Sequence, residues 1–213
     1  IAYDTTAVRE NGDINATRLE AGLYGTIERG TWYAKVYNYN SERGIPGAIV
    51  NNVWRRGERV WDTNSFFQGS FVKEVNDQFK TQVNAKYAFY RTHYVNNDDK
   101  LIEVDNLYKQ REVYVSTANM YTIFPFWDVS MSYDFQWNEM KADMYGFVFP
   151  TRFTNLLSIA TALRLGKVKL QGSGLATFVN DRVKEGPAPK ARQILTPCLL
   201  YTSPSPRDAH ESR

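Results

Sequence analysis

Cysteine and histidine are scarce in this sequence, and their scarcity excludes much catalytic and metal chemistry. The chain has one Cys, Cys198, and two His, His93 and His210. A structural zinc site takes four ligands, mostly Cys and His, and a hydrolase triad needs a His base. His210 lies in the C-terminal segment that is predicted below to be non-native, so His93 would be the one His available. Its Tyr- and Arg-rich surroundings have the pattern of a strand end. We therefore expect no enzyme activity, no metal site and no cofactor.

Long apolar runs are also missing. No stretch of about 18 consecutive apolar residues occurs, so the sequence predicts no transmembrane helix. The mean hydropathy of -0.49 does not exclude a membrane barrel, because barrel strands alternate lipid-facing and lumen-facing residues. The formal net charge of +3 predicts no extended basic surface for nucleic acid.

Aromatic residues and period-2 alternation are what the chain has in abundance. It contains 14 Tyr, 12 Phe and 5 Trp, and Tyr and Trp gather where an apolar environment meets water. Long strands with one apolar and one polar face need an apolar and an aqueous neighbour. In the clearest run, apolar Val129, Met131, Tyr133, Phe135 and Trp137 alternate with Ser130, Ser132, Asp134 and Gln136.

Further stripes of the same kind begin near Leu19, Phe79, Phe153 and Val168. The segments span about ten to sixteen residues, whereas strands of soluble proteins usually have about five or six. A tilted membrane strand needs about nine to eleven residues. These strands are therefore long enough to cross a membrane and to project beyond it.

The connections alternate between short and long. Tight turns are expected near Gly30, Asn76, Pro125 and Gly166, and we expect all four at one end of the sheet. The longer polar loops are expected at about 40–62, 95–109, 139–151 and 184–193. Outer-membrane barrels have this arrangement of short periplasmic turns and long extracellular loops.

One long loop is a candidate ligand contact. Trp and Arg side chains together stack on flat or sugar-like ligands and hydrogen-bond to anionic groups. The alternatives are a loop that packs its own rings, or a charged rim that faces surface lipid. The candidate residues are Trp54, Arg55, Arg56 and Trp61.

The C-terminal segment differs in character from the rest. Residues 198–208 resemble a translated sequencing adaptor, and a genuine Pro/Ser-rich tail is the alternative. We expect residues 198–213 to be non-native and disordered, with no regular strand. Ile1 is not Met and no signal peptide follows it, so residues 1–197 are expected to be an internal part of a longer barrel domain.

Three segments carry a resemblance to a known family. Residues 41–48 read SERGIPGA and follow a strand that ends in KVYNY at 35–39. This segment, together with WDTNSF at 61–66 and KYAFY at 86–90, is similar to the barrel of TonB-dependent outer-membrane receptors, especially Bacteroidota members. The resemblance covers essentially residues 1–197.

The resemblance implies a gram-negative outer-membrane transporter with a plugged, 22-stranded barrel. It implies a Ton box that recruits the TonB energy-coupling protein, and we expect plug and Ton box elsewhere in the parent protein. It also implies a scarce nutrient as ligand, such as cobalamin, an iron chelate or a glycan, with a cobalamin-type receptor as the first expectation. Outer-membrane lipid is the other expected partner.

The expected fold is all-β: an antiparallel up-and-down meander of about nine or ten long strands, forming an open, curved sector of a larger transmembrane barrel. Two alternatives remain for the function. One is a soluble β-sandwich carbohydrate-binding module, against which the strand lengths and the loop rhythm argue. The other is an outer-membrane protein of a different kind, either a passive porin or an enzyme.

Overall fold

Alternating apolar and polar residues form long β-strands along most of the chain. The computed structural model describes residues 10–46, 49–50, 53–54, 57–97 and 103–202. No helix occurs in these ranges, and hence none that is suited to cross a membrane. The strands are β1 (Ile14–Ile27), β2 (Gly30–Gly44), β3 (Ile49–Val50), β4 (Val53–Trp54), β5 (Glu58–Glu74), β6 (Phe79–Asn96), β7 (Val104–Phe124), β8 (Trp127–Ala142), β9 (Thr151–Leu165), β10 (Val168–Arg182) and β11 (Arg192–Thr202).

Nine of these strands form one antiparallel sheet in the order β1-β2-β5-β6-β7-β8-β9-β10-β11. Each strand pairs with its neighbour along the chain, except that β5 follows β2 because β3 and β4 form a separate short hairpin. Within the part of the chain that the structure describes, β1 and β11 do not pair, so the sheet is open. The predicted all-β, up-and-down meander of nine or ten long strands is confirmed.

The tight turns lie together at one end of the sheet, as predicted. Three backbone hydrogen bonds connect neighbouring turns. The amide of Glu74 donates to the carbonyl of Arg29 at 2.8 Å, and the amide of Thr122 to that of Gln78 at 2.8 Å. Arg164 donates likewise to Phe126 at 2.8 Å. The meander therefore carries the longer connections at the opposite end, which we call the loop end.

The loops are shorter than the sequence predicts. The predicted loop 40–62 is strand up to Gly44 and again from Glu58, and β7 begins at Val104 rather than after 109. Polar residues occupy both faces of the sheet in these extensions, so no alternation marks them as strands. Backbone pairing continues there because it depends on hydrogen bonds rather than on side-chain polarity.

The strand register divides the sheet into two chemically different faces. Residues paired across antiparallel strands lie on the same face. We call the face with Met131, Tyr133, Phe135 and Trp137 the apolar face, and the opposite face, with Asp134, the polar face. Two rows of paired residues on the apolar face form what we call the apolar belt: Leu23, Ala34, Gly69, Ala85, Val115 and Phe135, and Ala21, Val36, Phe67, Tyr87, Val113, Trp137 and Phe153.

The two faces also differ in exposure. On the apolar face large side chains are open, with Phe67 51% and Ile159 52% exposed. The buried residues other than Gly44 share the polar face: Ser41, Val60, Ala88, Asn96, Ser116 and Ala142. Side chains crowd on the inner side of a curved sheet and spread on its outer side, so this difference indicates that the polar face is concave.

The expectation that residues from Cys198 form no regular strand is wrong for residues 198–202. They belong to β11, where Cys198 pairs with Ser173 and Thr202 with Lys169. The free edge of β10 offers unpaired backbone groups, which any extended segment can satisfy whatever its origin. Residues 203–213 lie outside the described residues, and the non-native origin of the tail stays a prediction.

Candidate functional site

The four predicted ligand contacts do not all lie where the sequence places them. Trp54 ends the short hairpin of β3 and β4, where it pairs with Ile49. Arg55 and Arg56 lie outside the described residues. Trp61 is not in a loop but near the start of β5, with a half-buried side chain. Of the four, Trp61 is the residue whose side chain the structure describes.

Trp61 lies in a row of paired residues at the loop end of the apolar face. Its neighbours across the strands are Glu42 on β2 and His93 on β6. The rings of Trp61 and His93 stack with their centroids 5.2 Å apart, and His93 Nε2 is 2.6 Å from Asp105 Oδ1. His93 thus has a carboxylate partner and a ring partner.

An open groove of about 440 Å³ runs beside Trp61 across β1, β2, β5 and β6. Its lining combines the Trp61 ring with amides, hydroxyls, carboxylates and one guanidinium. Such a mixture suits a sugar, because the ring can stack on the sugar while the polar groups hydrogen-bond to its hydroxyls. The lining residues are Asn15, Thr17, Asn40, Ser41, Glu42, Trp61, Asp62, Thr63, Arg91 and His93.

Sequence reasoning missed most of this groove. Asn40, Thr63 and Arg91 lie in three different strands and come together because the register pairs Asn40 with Thr63 and Thr63 with Arg91. No local motif marks them. The exact lengths of the connections between β2 and β5 and between β5 and β6 would have been needed to predict the alignment.

The chain before β1 folds over the segment that carries the family resemblance. The Asn11 side-chain amide donates to the carbonyl of Ile45 at 3.1 Å and to that of Glu58 at 2.8 Å. The amide of Gly44 donates to the carbonyl of Asp13 at 3.0 Å. A Cβ on Gly44 would lie 2.6 Å from the carbonyl oxygen of Asn11. Glycine is therefore required at this crossing.

Arg59 joins this crossing to the sheet through two carboxylates. Its guanidinium lies 2.9 Å from Asp13 and 2.7 Å from Glu42. The hydrogen bond from Arg59 holds the pKa of the Asp13 carboxyl below its ordinary value, and its positive charge acts in the same direction. The Asp13 side chain is 61% exposed, so water screens this interaction.

The polar face carries a separate set of interactions midway along the strands. Lys86 lies 3.1 Å from Glu112 and 3.2 Å from the hydroxyl of Tyr90. The hydroxyl of Tyr114 donates to Asp134 at 3.2 Å. These polar side chains therefore bind one another along the face of the sheet. Asp134 therefore has a hydrogen-bond partner on the neighbouring strand.

In the middle of the polar face, Glu20 also forms ion pairs with Arg18 and with Lys35, each at 2.6 Å. With the Lys86 pair, these contacts form what we call the polar network: Arg18, Glu20, Lys35, Lys86, Glu112, Tyr114 and Asp134. Such a surface is favourable in contact with water, whereas transfer of its charged groups into hydrocarbon would be costly. It can line an aqueous space.

The sequence matches no protein-family model and no curated protein. Among solved structures, the chain is similar to the crystal structure of the ferric citrate transporter FecA in the unliganded form. The TM-score is 0.61 and the identity 11%, over 91% of this chain and 33% of that one. The chain thus spans about a third of the transporter's length. An identity this low shows a likeness of fold: the nine-stranded sheet resembles a sector of that transporter's β-barrel.

Proposed function

We propose that this chain forms part of the barrel wall and extracellular loops of a TonB-dependent outer-membrane transporter. The intact protein would take up a scarce nutrient, such as cobalamin, an iron chelate or a glycan, with energy from TonB. It would contact TonB through a plug and Ton box outside this sequence. This segment would contribute wall and loops, with no catalytic role.

The single observation that carries the proposal is the continuous apolar belt on one face of an open sheet. A soluble β-sandwich covers such a face with a second sheet about 10 Å away. In the described ranges the nine long strands form one sheet, and the belt is uncovered. Hydrocarbon is the neighbour that would stabilise a face of this composition.

The height of the apolar region supports the same interpretation. Trp127 at the turn end and Trp137 toward the loop end lie on the apolar face of β8, ten residues apart. At ~3.4 Å per residue this is about 34 Å along the strand. A strand tilt of ~40° reduces it to about 26 Å, close to the ~25 Å apolar band of outer-membrane barrels.

Aromatic residues mark both limits of this region. Phe124 stacks on Phe126 at 5.4 Å and on Trp127 at 6.4 Å, beside the tight turn. Tyr87 and Trp137 end the belt toward the loops. Aromatic girdles occupy both interfaces of outer-membrane barrels. We therefore assign the turn end to the periplasm and the loop end to the cell exterior.

The polar face would then line the barrel lumen. Its network pairs charges with one another, and its crowding indicates the concave side. Trp54, Arg55 and Arg56 remain the proposed nutrient contacts in the long loop at the cell exterior. Trp61 points to the apolar face instead. For Trp61 we favour the alternative role, contact with lipid at the barrel surface.

Labelling of introduced cysteines tests the membrane assignment. In the full-length protein that contains residues 1–197, with its native cysteines replaced by serine, Phe135→Cys should react with a lipid-soluble maleimide and resist a membrane-impermeant one. Gln136→Cys, the matched control on the next residue, should react with the impermeant reagent once the outer membrane is permeabilised. Protection of Phe135→Cys from both reagents would favour the soluble β-sandwich, whose second sheet would cover the apolar face. Reaction of Phe135→Cys with the impermeant reagent would overturn the membrane assignment.

Dependence on TonB separates an importer from a passive porin. Cells that produce the full-length protein should accumulate labelled cobalamin, ferric chelate or glycan, and loss of TonB should abolish this uptake. A porin would admit solutes equally in both strains. TonB-independent uptake would overturn active transport while leaving the barrel assignment intact.

A further inference from the structure

Three basic residues meet side by side on the apolar face, just beyond the apolar belt. The register pairs Arg91 of β6 with Lys109 of β7, and Lys109 with Lys141 of β8. Arg111 lies one row closer to the belt, on the same face. All four side chains are exposed. We call Arg91, Lys109, Arg111 and Lys141 the basic cluster.

Such a row is unfavourable by itself. Neighbouring strands are ~4.8 Å apart, and like charges directly opposite one another destabilise a sheet. Within these two rows of the described strands β6, β7 and β8, Glu139 is the one carboxylate, and its Oε1 lies 3.3 Å from Lys141 Nζ. Arg91, Lys109 and Arg111 have no ion-pair partner among the described residues. The cluster therefore keeps an excess of positive charge.

The nearby carboxylates are already engaged elsewhere. Asp105 binds His93 at 2.6 Å, and Glu42 binds Arg59 at 2.7 Å. Asp62 lies on the polar face, on the other side of the sheet, where it is 3.4 Å from Arg43 and accepts a hydrogen bond from Thr92 at 2.7 Å. Neutralisation of the basic cluster therefore calls for an anion from outside these strands.

The position of the cluster indicates where that anion comes from. The row that holds Arg111 and Glu139 is followed directly by the row of Tyr87, Val113 and Trp137, which ends the belt. Lys and Arg side chains at such a boundary lay their aliphatic stems on the apolar surface and hold the charge at the membrane interface. Lipid phosphates lie at this level.

The groove beside Trp61 adjoins the cluster, because Arg91 also lines it. Its stacking ring and its polar side chains suit sugar hydroxyls, whereas the cluster suits phosphate, which Arg binds through two parallel hydrogen bonds. Sugar and phosphate sites side by side on one lipid-facing surface match a phosphorylated glycolipid.

We infer that the basic cluster binds the phosphate groups of a glycolipid in the outer leaflet, with the sugar lying in the groove beside Trp61. The inference rests on the proposed function, because it requires the apolar face to contact lipid. It adds a ligand on the outside of the wall that is distinct from the transported nutrient. The bound lipid would relieve the repulsion within the row Arg91–Lys109–Lys141.

The test compares two triple variants of the full-length protein in vesicles. Arg91→Gln with Lys109→Gln and Lys141→Gln removes three charges of the cluster. The matched control, Lys73→Gln with Lys167→Gln and Lys169→Gln, removes three charges at the turn end. Both are incorporated into phosphatidylcholine vesicles, and the affinity for a bisphosphorylated lipid A is measured from the number of lipid molecules retained by each protein in native mass spectrometry.

We expect the cluster variant to lose about fivefold in affinity for each charge removed, or on the order of 100-fold in total. The control variant should retain the affinity within about twofold. Lipid A stripped of its phosphates should bind the unmodified protein as weakly as lipid A binds the cluster variant. Equal binding of lipid A with and without phosphates would overturn the inference.

Two further arms distinguish the remaining explanations. A charge-retaining variant, Arg91→Lys with Lys109→Arg and Lys141→Arg, should keep the affinity; loss in this variant would overturn a charge-based site. Inorganic phosphate should fail to displace lipid A at equal concentration. Displacement by inorganic phosphate would mean a free-anion site and would overturn the lipid assignment.

The vesicle experiment distinguishes an error in the proposed function from an error in this inference. Insertion into pure phosphatidylcholine vesicles depends on the belt and not on the basic cluster. Insertion without preference for the phosphorylated lipid would overturn the inference alone. A failure to insert into either kind of vesicle would overturn the membrane assignment, and the inference with it. In phosphatidylcholine the cluster variant should be at least as stable as the unmodified protein, because its row no longer repels itself.

Discussion

The two faces of the sheet share the same backbone hydrogen bonds, but their side chains differ in whether they find partners within the protein. On the polar face, charged groups satisfy one another, as Lys86 and Glu112 do at 3.1 Å. On the apolar face, large side chains such as Phe67 lie open, 51% exposed. One face therefore carries its own partners, and the other depends on the surrounding medium. Under the proposed function, hydrocarbon would take the place of the second layer that packs against such a face in a soluble β-sandwich.

The largest effect is expected when a charge is introduced on each face in turn. Met131→Arg puts a cation on the apolar face, and Ser132→Arg, its neighbour in sequence, puts one on the polar face. In the full-length protein in lipid vesicles, we expect Met131→Arg to lower the free energy of unfolding by about 2–4 kcal/mol. Ser132→Arg should cost much less, because an aqueous lumen hydrates the guanidinium. Urea unfolding followed by tryptophan fluorescence measures both. Equal costs, or a larger cost at Ser132, would mean that the apolar face does not contact hydrocarbon.

A glycine comparison sharpens the difference between a packed and an open site on the apolar face. A Cβ on Gly44 would meet the backbone of Asn11, whereas one on Gly174 would meet nothing within 4 Å. We expect Gly44→Ala to destabilise by about 1–3 kcal/mol, the usual cost of overpacking. Gly174→Ala should be neutral or slightly stabilising, since alanine restricts the unfolded chain more than glycine does. Thermal unfolding of both variants checks this, and a neutral Gly44→Ala would show that the segment 10–13 moves aside freely.

The alternation of residue types predicts which face of the sheet each residue lies on. It does not predict which residues are aligned across neighbouring strands. The side-chain period of a strand is two, so Met131 and Ser132 are assigned to opposite faces without knowledge of any partner. The alignment of Arg91, Lys109 and Lys141 depends on the lengths of the intervening connections and on irregularities such as the register shift between Thr122 and Phe124. No local pattern encodes that alignment.

The candidate site was predicted only in part for the same reason. Trp61 was singled out for its residue type and its nearness to Arg55 and Arg56. Its actual neighbours, Glu42 and His93, come from strands 19 and 32 positions away in the sequence. The strand β11 was missed because an edge of unpaired backbone groups accepts segments of almost any composition.

A smaller effect is expected within the polar network itself. The pair Lys86–Glu112 has side-chain exposures of 29% and 14%, whereas Arg18–Glu20 has 64% and 36%. A double-mutant cycle with alanine at both members should give a coupling of about 1 kcal/mol for Lys86–Glu112 and below ~0.5 kcal/mol for Arg18–Glu20. The contrast follows from weaker solvent screening at the less exposed pair. Similar coupling energies in both cycles would show that water screens the two ion pairs equally, and that the less exposed pair adds no extra stability to the polar face.

The smallest effect is expected at the edge of the sheet, where the C-terminal tail pairs with β10. The side chains of β11 are exposed from Arg192 to Leu200, with Leu195 80% and Leu199 79% exposed, so the strand adds backbone pairs but little packing on either face. Water can replace those hydrogen bonds at an open edge, and a hydrogen bond exchanged with water contributes little net free energy. Deletion of residues 198–213 should therefore change the free energy of unfolding of the 213-residue chain in lipid vesicles by less than about 0.5 kcal/mol. The comparison variant, truncated after Lys190, removes the whole of β11 and should lose more, since it also uncovers the edge of β10 beside Phe178. A loss of several kcal/mol on deletion of 198–213 alone would mean that the tail packs as a native strand, and its assignment to a translated adaptor would be wrong.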